Sequence, residues 1–363
     1  MEVSKKNLRR GVSAALLVMV LFLLNIAWPH LVPPTPKPAH GFSVEVMSDD
    51  LGAPTCLEWV DSEWLLVCDN DADAIALHHL DGAVITLDRH LAEGFEQPQG
   101  VLYDADSNRL FVSDRGRLTR FDVSGGGPAD WLVENRSVLI EGVPAGNHQT
   151  NAITAAPDGS LIWHSGSTCN ICQEGDERNA ALLSVNPDNG THHVIASGVR
   201  NSYDGVWMPG VGYLFTDNGR DWEGEGYPPE ELDLLEIGAS YGWPDDSPDS
   251  PVPEGTLPPV ANFTPHSSAN GIALRPAKTT IPGGERTIYV TTYGSWNAAV
   301  PTGSELIRVD LIEDVASVQG WRAETTVVIG ELPGALGIDF HPGGDLYIAQ
   351  HGHGRLLRIT FTA

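Results

Sequence analysis

Six times along the chain an apolar stretch gives way to a Gly, Asn or Asp turn and then to a short strand of the Leu-Tyr-Ile-Ala kind. A recurrence of this sort confines a chain to a row or ring of similar sheets. The units run through 65–80, 101–123, 152–185, 206–237, 272–309 and 338–361. Their spacing of roughly 45 to 65 residues suits four-stranded blades with inserted loops, so the pattern predicts an all-β, six-bladed β-propeller. The last unit is the plainest: an inner strand at Gly337-Ile338-Asp339-Phe340, a turn at His341-Pro342-Gly343-Gly344, then strands at Asp345–Ala349 and Arg355–Ile359. Alternating apolar residues and turn formers both indicate strand. A propeller gathers its functional side chains at one end of a central channel, so loops leading into inner strands are where chemistry is expected.

The N-terminus is of a different kind. Lys5, Lys6, Arg9 and Arg10 precede an apolar run from Val12 to Trp28, and Pro33-Pro34-Thr35-Pro36-Lys37-Pro38 follows. This reads as a signal peptide or an uncleaved membrane anchor over 1–33, with a Pro-rich spacer at 34–41 and the propeller over 42–363. The whole chain carries a formal charge of −27. Without Glu2 and the four N-terminal cations, 47 acidic residues stand against 17 basic ones. Such a surface repels nucleic acid and anionic lipid and suits either solubility or a cation-rich site.

Four cysteines in an exported chain imply two disulfides. Cys56 and Cys68 flank a hairpin-like stretch, and Cys169-Asn170-Ile171-Cys172 is a Cys-x-x-Cys. No second Cys or His pair completes a zinc set, which favours a loop-stapling disulfide at Cys169 and Cys172.

Three stretches carry candidate chemistry. Gly146-Asn147-His148-Gln149 leads into the third unit and presents an imidazole, the natural base for a hydroxyl proton near neutral pH, although a lone histidine there also serves as a structural hydrogen-bonder. Gly198-Val199-Arg200-Asn201 holds the equivalent place before the fourth unit. Its guanidinium suits a carboxylate or a developing oxyanion, or a plain salt bridge. The run from Phe215 to Asp233 is dense in oxygen donors and stiffened by Gly and Pro, as a hard cation such as Ca²⁺ requires, without the spacing of an EF-hand. His266 leads into the fifth unit as His148 leads into the third.

Taken in order, Asn147-His148-Gln149, Gly166 to Cys172, Gly198-Val199-Arg200-Asn201, Thr216 to Asp221, Pro228 to Leu232, Tyr241-Gly242-Trp243-Pro244, Gly294-Ser295-Trp296-Asn297 and Gly337 to Phe340 resemble the glucose/sorbosone dehydrogenase family. These are six-bladed propellers that oxidise sugars with pyrroloquinoline quinone (PQQ), and the cysteine pair and the Asp-Asn-Gly-Arg-Asp string are similar to the sorbosone-dehydrogenase-like branch. The resemblance implies His148 as catalytic base and Arg200 as stabiliser of charge on the quinone oxygens. Asn147, Gln149, Asn201, Trp296 and Asn297 would contact the cofactor, with Asn147 placed to orient His148. It implies a calcium site from Glu231, the Tyr241 carbonyl and carbonyls around Tyr227 and Pro228. A small sugar would be the substrate and a quinone or other small oxidant the electron acceptor.

Two departures stand out. Ala298 follows Asn297 where relatives carry Arg, and Leu332-Pro333-Gly334-Ala335-Leu336 stands where one or two arginines enter the last unit. Arg200, Arg220 and Arg115 are the cations left to meet the three carboxylates of PQQ. The competing readings are a catalytically silent, calcium-containing propeller that binds glycan or protein, and a lactonase-like hydrolase with calcium in the channel.

Overall fold

A computed structural model describes residues 34–363. The signal or anchor expected over 1–33 therefore lies outside the described residues. Among them no helix is long and apolar enough to cross a membrane.

Six sheets, antiparallel apart from the short parallel pairing of Ala239–Ser240 with His192–Ser197, follow one another along the chain, and together they form a six-bladed β-propeller. Their innermost strands are Pro54–Trp59, Gly100–Asp104, Thr150–Ala155, Gly205–Met208, Ala269–Leu274 and Ala335–Phe340, and each lies against its neighbours around the ring. The second strands carry the strongest apolar runs. In Trp64–Asp69 and Thr287–Thr292 every residue is buried, because both faces of a blade are covered by the blades beside it. The core is accordingly divided among the seams. Six apolar clusters fill the six blade-to-blade interfaces, such as Leu66, Ile75, Val101 and Leu110 between the first two blades. Trp163, fully buried, donates its Nε1 hydrogen to Ser113 Oγ across the seam of the second and third blades.

The ring closes in a way the repeat does not announce. The sixth blade holds three strands from the C-terminal unit, and its fourth is Phe42–Ser48. That strand pairs antiparallel with Arg355–Phe361, setting Phe42 opposite Phe361 and Val44 opposite Ile359. Within the stretch expected to be a spacer, Lys37–Pro38 adds a short edge strand to the fifth blade, pairing with Gly330 and Ile329. A Pro is tolerated there because an edge strand needs only one row of hydrogen bonds.

Buried carboxylates clasp three of the seams near the channel. Glu58 accepts from the Tyr103 amide at 3.0 and 2.9 Å, Asp339 from Trp59 at 2.8 Å and Asp204 from Ile272 at 3.2 Å. Each takes a backbone N–H that the neighbouring blade leaves unpaired. Burial outweighs these bonds and pushes Asp204 and Asp339 up to about 7. A raised carboxyl adds stability that is full below its unfolded value near 4 and is lost as pH rises through 7. Buried imidazoles act oppositely: desolvation lowers His78 to about 4 and His164 to about 3, so their contribution fades only as pH falls below the ordinary histidine value. Between pH 6.5 and 8 these carboxyls lose their protons in the folded chain, whereas the buried imidazoles stay neutral there. The urea midpoint should therefore fall over that interval, by about 1 kcal/mol or less per carboxyl; a flat midpoint would show both to be ionised throughout.

Candidate functional site

Antiparallel order decides which loops meet. The loop leading into the inner strand and the loop between the second and third strands open at the same end of every blade. His148, Arg200 with Asn201, and His266 come from loops of the first kind in the third, fourth and fifth blades. Asn170, the 218–229 loop and the 294–304 loop come from the second kind in the same blades. They enclose a cavity of about 530 Å³ whose walls include His148, Arg200, Asn201, Glu230, Trp296 and Asn297. A smaller cavity of about 270 Å³ shares Asn147, His148 and Asn201 with it and adds Gln149 and Arg115. The imidazole and the guanidinium thus face one space.

His148 has a defined tautomer. Its Nδ1 lies 2.8 Å from Ser167 Oγ, and that hydroxyl donates its own hydrogen to the Cys169 carbonyl at 2.8 Å. Nδ1 must therefore carry the proton, which leaves Nε2 with a free lone pair. The orienting partner is Ser167 rather than Asn147, whose backbone N–H is taken by the Thr168 carbonyl at 2.9 Å. Burial and then the Arg200 cation push the imidazole down to about 3, so it is neutral at working pH. A side chain at Gly166 would meet the His148 Cβ at 2.6 Å, so only glycine lets the two loops approach.

Arg200 is 4 % exposed and held on all sides. Its guanidinium donates to Asp221 Oδ2 at 2.9 Å, Asn170 Oδ1 at 2.9 Å, Asn218 O at 3.2 Å and Asn170 O at 3.3 Å. Asp217 serves as a backbone clamp, taking the amides of Arg200, Asn201 and Asn218 at 2.8, 2.6 and 2.9 Å. Of the three cations singled out in the sequence, Arg200 alone lines the larger cavity. Arg115 lines the smaller one, 3.5 Å from Glu96, and Arg220 sits 3.6 Å from Asp246 in a separate recess.

That recess, of about 20 Å³, has room for one small ion and is walled by Glu231, Tyr241, Pro228, Asp246 and Arg220 among others. Tyr227 stands beside it, its hydroxyl donating to Asp246 at 3.1 Å. Asp246 Oδ1 and both carboxylate oxygens of fully buried Asp233 have no hydrogen-bond partner among the described residues. Glu231 and Asp233 lie two positions apart on Glu230–Leu234, and both are held well above the usual carboxylate range, first by burial and then by repulsion, from Asp233 on Glu231 and from Asp217 on Asp233. Cys169, Cys172 and Glu174 are also close, but both sulfurs are spent in a disulfide and do not ligate. The second disulfide joins Cys56 and Cys68.

No family model matches the chain. A curated Borreliella burgdorferi protein without an assigned function is 24% identical over 174 residues, a match that spans 45% of this chain and 46% of that one. Solved structures align over far more of it. The PQQ domain of pyranose dehydrogenase from Coprinopsis cinerea, in its holo form, superposes with a TM-score of 0.74 at 17% identity, covering 90% of this chain and 97% of that one. A calcium structure of a Trichoderma reesei carbohydrate-active enzyme gives 0.73 at 17% identity over 91% and 98%. The PQQ-bound aldose sugar dehydrogenase of Streptomyces coelicolor gives 0.67 at 18% identity over 90% and 100%. Its structural neighbours are PQQ-dependent sugar dehydrogenases. At this identity the likeness to those enzymes establishes the propeller fold.

Left-handed backbone also occurs at the mouth of the propeller. Trp222, His266 and Ser268 adopt left-handed backbone at φ of 72°, 62° and 57°, and all three line the larger cavity. Trp222 and Trp296, each 71% exposed, meet edge to face at 5.3 Å at its mouth. Ser167 and Asn170 carry no individual role in the sequence, although both lie in the cysteine stretch, and Asp221 stands there only as one oxygen donor of the 215–233 run; its bonds to Arg200 and Asn170 become visible only when the third and fourth blades meet. In ¹⁵N-labelled protein His148 should show a protonated Nδ1 and an unprotonated Nε2, with no titration above about pH 5. A midpoint near the ordinary histidine value would contradict the burial described.

Proposed function

We propose that the protein is an extracytoplasmic PQQ-dependent oxidoreductase acting on a sugar or aldose aldehyde, with His148 as base and Arg200 as electrostatic stabiliser. The observation that carries this reading is the shared cavity: a neutral imidazole with a free Nε2 and a buried guanidinium on successive blades of the same propeller. The two disulfides accord with an oxidising compartment.

The donor set fits the cofactor in shape and hydrogen bonding. Amides of Asn147, Asn201, Asn297 and, from the adjoining cavity, Gln149 stand around a space suited to a flat tricycle, with Trp296 at its rim. Charge is the weaker match, because Asp221 already neutralises Arg200. Each missing charge-assisted bond lowers affinity by about ten- to a hundredfold. A divalent cation in the adjoining recess offsets part of the deficit, since that recess shares Arg200, Asn218 and Gly219 with the larger cavity. Its ligands would be Glu231, carbonyls of Tyr241, Pro228 and the Tyr227 neighbourhood, and Asp246, whose Oδ1 otherwise has no partner.

When bound, PQQ supplies a two-electron hydride acceptor. The chain's own residues do the rest. His148 Nε2 takes the proton of the anomeric or hydrate hydroxyl, and Ser167 holds the ring in the tautomer that allows it. Arg200, fixed by Asn170 and Asp221, presents positive charge without reorganising. Burial first, and that cation second, keep the imidazole neutral before substrate arrives.

Purified protein given PQQ and Ca²⁺ should acquire sugar-dependent dye reduction, and His148→Ala should lower kcat by about 10²- to 10⁴-fold while leaving PQQ uptake intact. Absence of uptake at saturating quinone would reject the dehydrogenase and favour the glycan-binding propeller, whose amide-rich cavity this chain equally possesses. Calcium alone should raise the thermal midpoint, by about 2.7 kcal/mol of stability at a hundredfold excess over Kd. Glu231→Gln should abolish that response; a response of wild-type size in the variant would place the ion elsewhere.

A further inference from the structure

The loop closed by Cys169 and Cys172 touches both members of the proposed pair, and this inference rests on that pair being the working one. On one side, Ser167 Oγ bridges His148 Nδ1 and the Cys169 carbonyl, and Ser167 N donates to the Arg200 carbonyl at 2.7 Å. On the other, Asn170 lies inside the four-residue disulfide ring and spends its polar atoms on the fourth blade. Its Oδ1 accepts from Arg200 Nη2 at 2.9 Å and from Asp221 N at 2.8 Å. Its Nδ2 donates to Asp221 O at 3.0 Å, and its carbonyl accepts from Arg200 Nε at 3.3 Å and Trp243 Nε1 at 3.0 Å.

Backbone bonds hold the first residues of this loop to the His148 loop, Asn147 N donating to the Thr168 carbonyl at 2.9 Å and His148 N to the Ser167 carbonyl at 3.1 Å, and neither of these reaches the disulfide ring itself. The loop lies between the strands Leu161–Ser165 and Ala181–Val185 without regular structure, and Thr168 also donates to Glu174 at 2.7 Å through both N and Oγ1. Both cysteines are half-buried, with Ile171 between them 44% exposed. The other disulfide is better protected: Cys68 is fully buried in the seam of the first two blades, on a strand paired with that of Cys56.

We propose that the Cys169–Cys172 disulfide is a redox-sensitive strut, through which Ser167 and Asn170 act as positioning residues for His148 and Arg200. A dithiol reductant attacks one sulfur as thiolate and forms a mixed disulfide. Its second thiol then displaces the remaining cysteine, so that two electrons and two protons pass to the protein and the reductant leaves as a cyclic disulfide. The opened ring frees Asn170 to leave Arg200 and Asp221, and frees the Cys169 carbonyl that fixes the Ser167 hydroxyl. Without that fixed acceptor, His148 loses its single tautomer and part of its seclusion. The cavity passes from an ordered to a loosened state while the blades remain.

The test uses the full chain with ¹⁵N-labelled histidine and arginine, treated with dithiothreitol and then reoxidised with glutathione disulfide, alkylation and mass spectrometry showing which cysteines have opened. Opening of Cys169 and Cys172 with Cys56 and Cys68 still joined is expected. So is a rise of the His148 midpoint by about one pH unit or more, with far-UV circular dichroism unchanged and full reversal on reoxidation. Cys169→Ser/Cys172→Ser should reproduce the reduced signals, and Asn170→Ala should broaden the Arg200 Nε resonance in the oxidised protein. Identical His148 titration in oxidised and reduced forms would overturn the proposal, as would global unfolding on reduction, which would make the bond a general staple. None of these readouts needs PQQ or turnover, so failure of the dehydrogenase reading would be seen separately.

Discussion

The pairing of Phe42–Ser48 with Arg355–Phe361 is the contact on which the rest of the structure depends. A propeller has no central core; its apolar surface lies in the seams, and each seam is complete only when both blades are in place. With the first strand of the domain sewn to the last, the sixth seam closes and no blade is left with a bare face. The T-shaped contact of Phe42 with Phe361 at 5.0 Å seals the outer edge of that join. Closure also sets the channel mouth, because the angular place of every loop follows from a ring that can neither open nor slide.

Within that ring the site is assembled by backbone capture more than by side-chain pairing. Asp217 ends a second strand and takes three amides of two neighbouring loops, so Arg200 and Asn201 are placed before their side chains make any contact. Glu230 does the same across the next seam, accepting from Gly219 at 2.7 Å and Ser268 at 3.2 Å. Such carboxylates cost desolvation, seen in Asp217 and Glu230 both pushed up to about 7. They return it as rigidity in loops that carry no regular structure, which is the condition for preorganised electrostatics.

The charge of the chain acquires a local meaning here. Asp217, Glu231 and Asp246 converge around a recess too small for a second side chain, with Asp246 Oδ1 left without a partner among the described residues. Repulsion among them is relieved by protonation or by a cation, and a hard divalent ion suits the oxygen donors. The larger cavity next door is the reverse: rich in amides, with one cation already balanced by Asp221. The two spaces share a wall, so charge placed in one is felt in the other.

The sequence by itself determined the number of blades, the strands of the last unit and the two disulfides, because alternation, turn residues and cysteine spacing are local properties that survive in one dimension; the outermost strands, such as Val84–Glu93 and Trp321–Gly330, fell outside its units. It also marked His148, Arg200 and Asn201 through their place before inner strands. It left open the fourth strand of the last blade, since Phe42–Ser48 carries no mark of a partner some three hundred residues away. It gave no role to Ser167 or Asn170, counted Asp221 only among the donors of a cation loop, and assigned Asn147 an orienting task that Ser167 performs. Those decisions belong to the tertiary structure, because a hydrogen-bond partner is chosen by which loops the closed ring brings within reach.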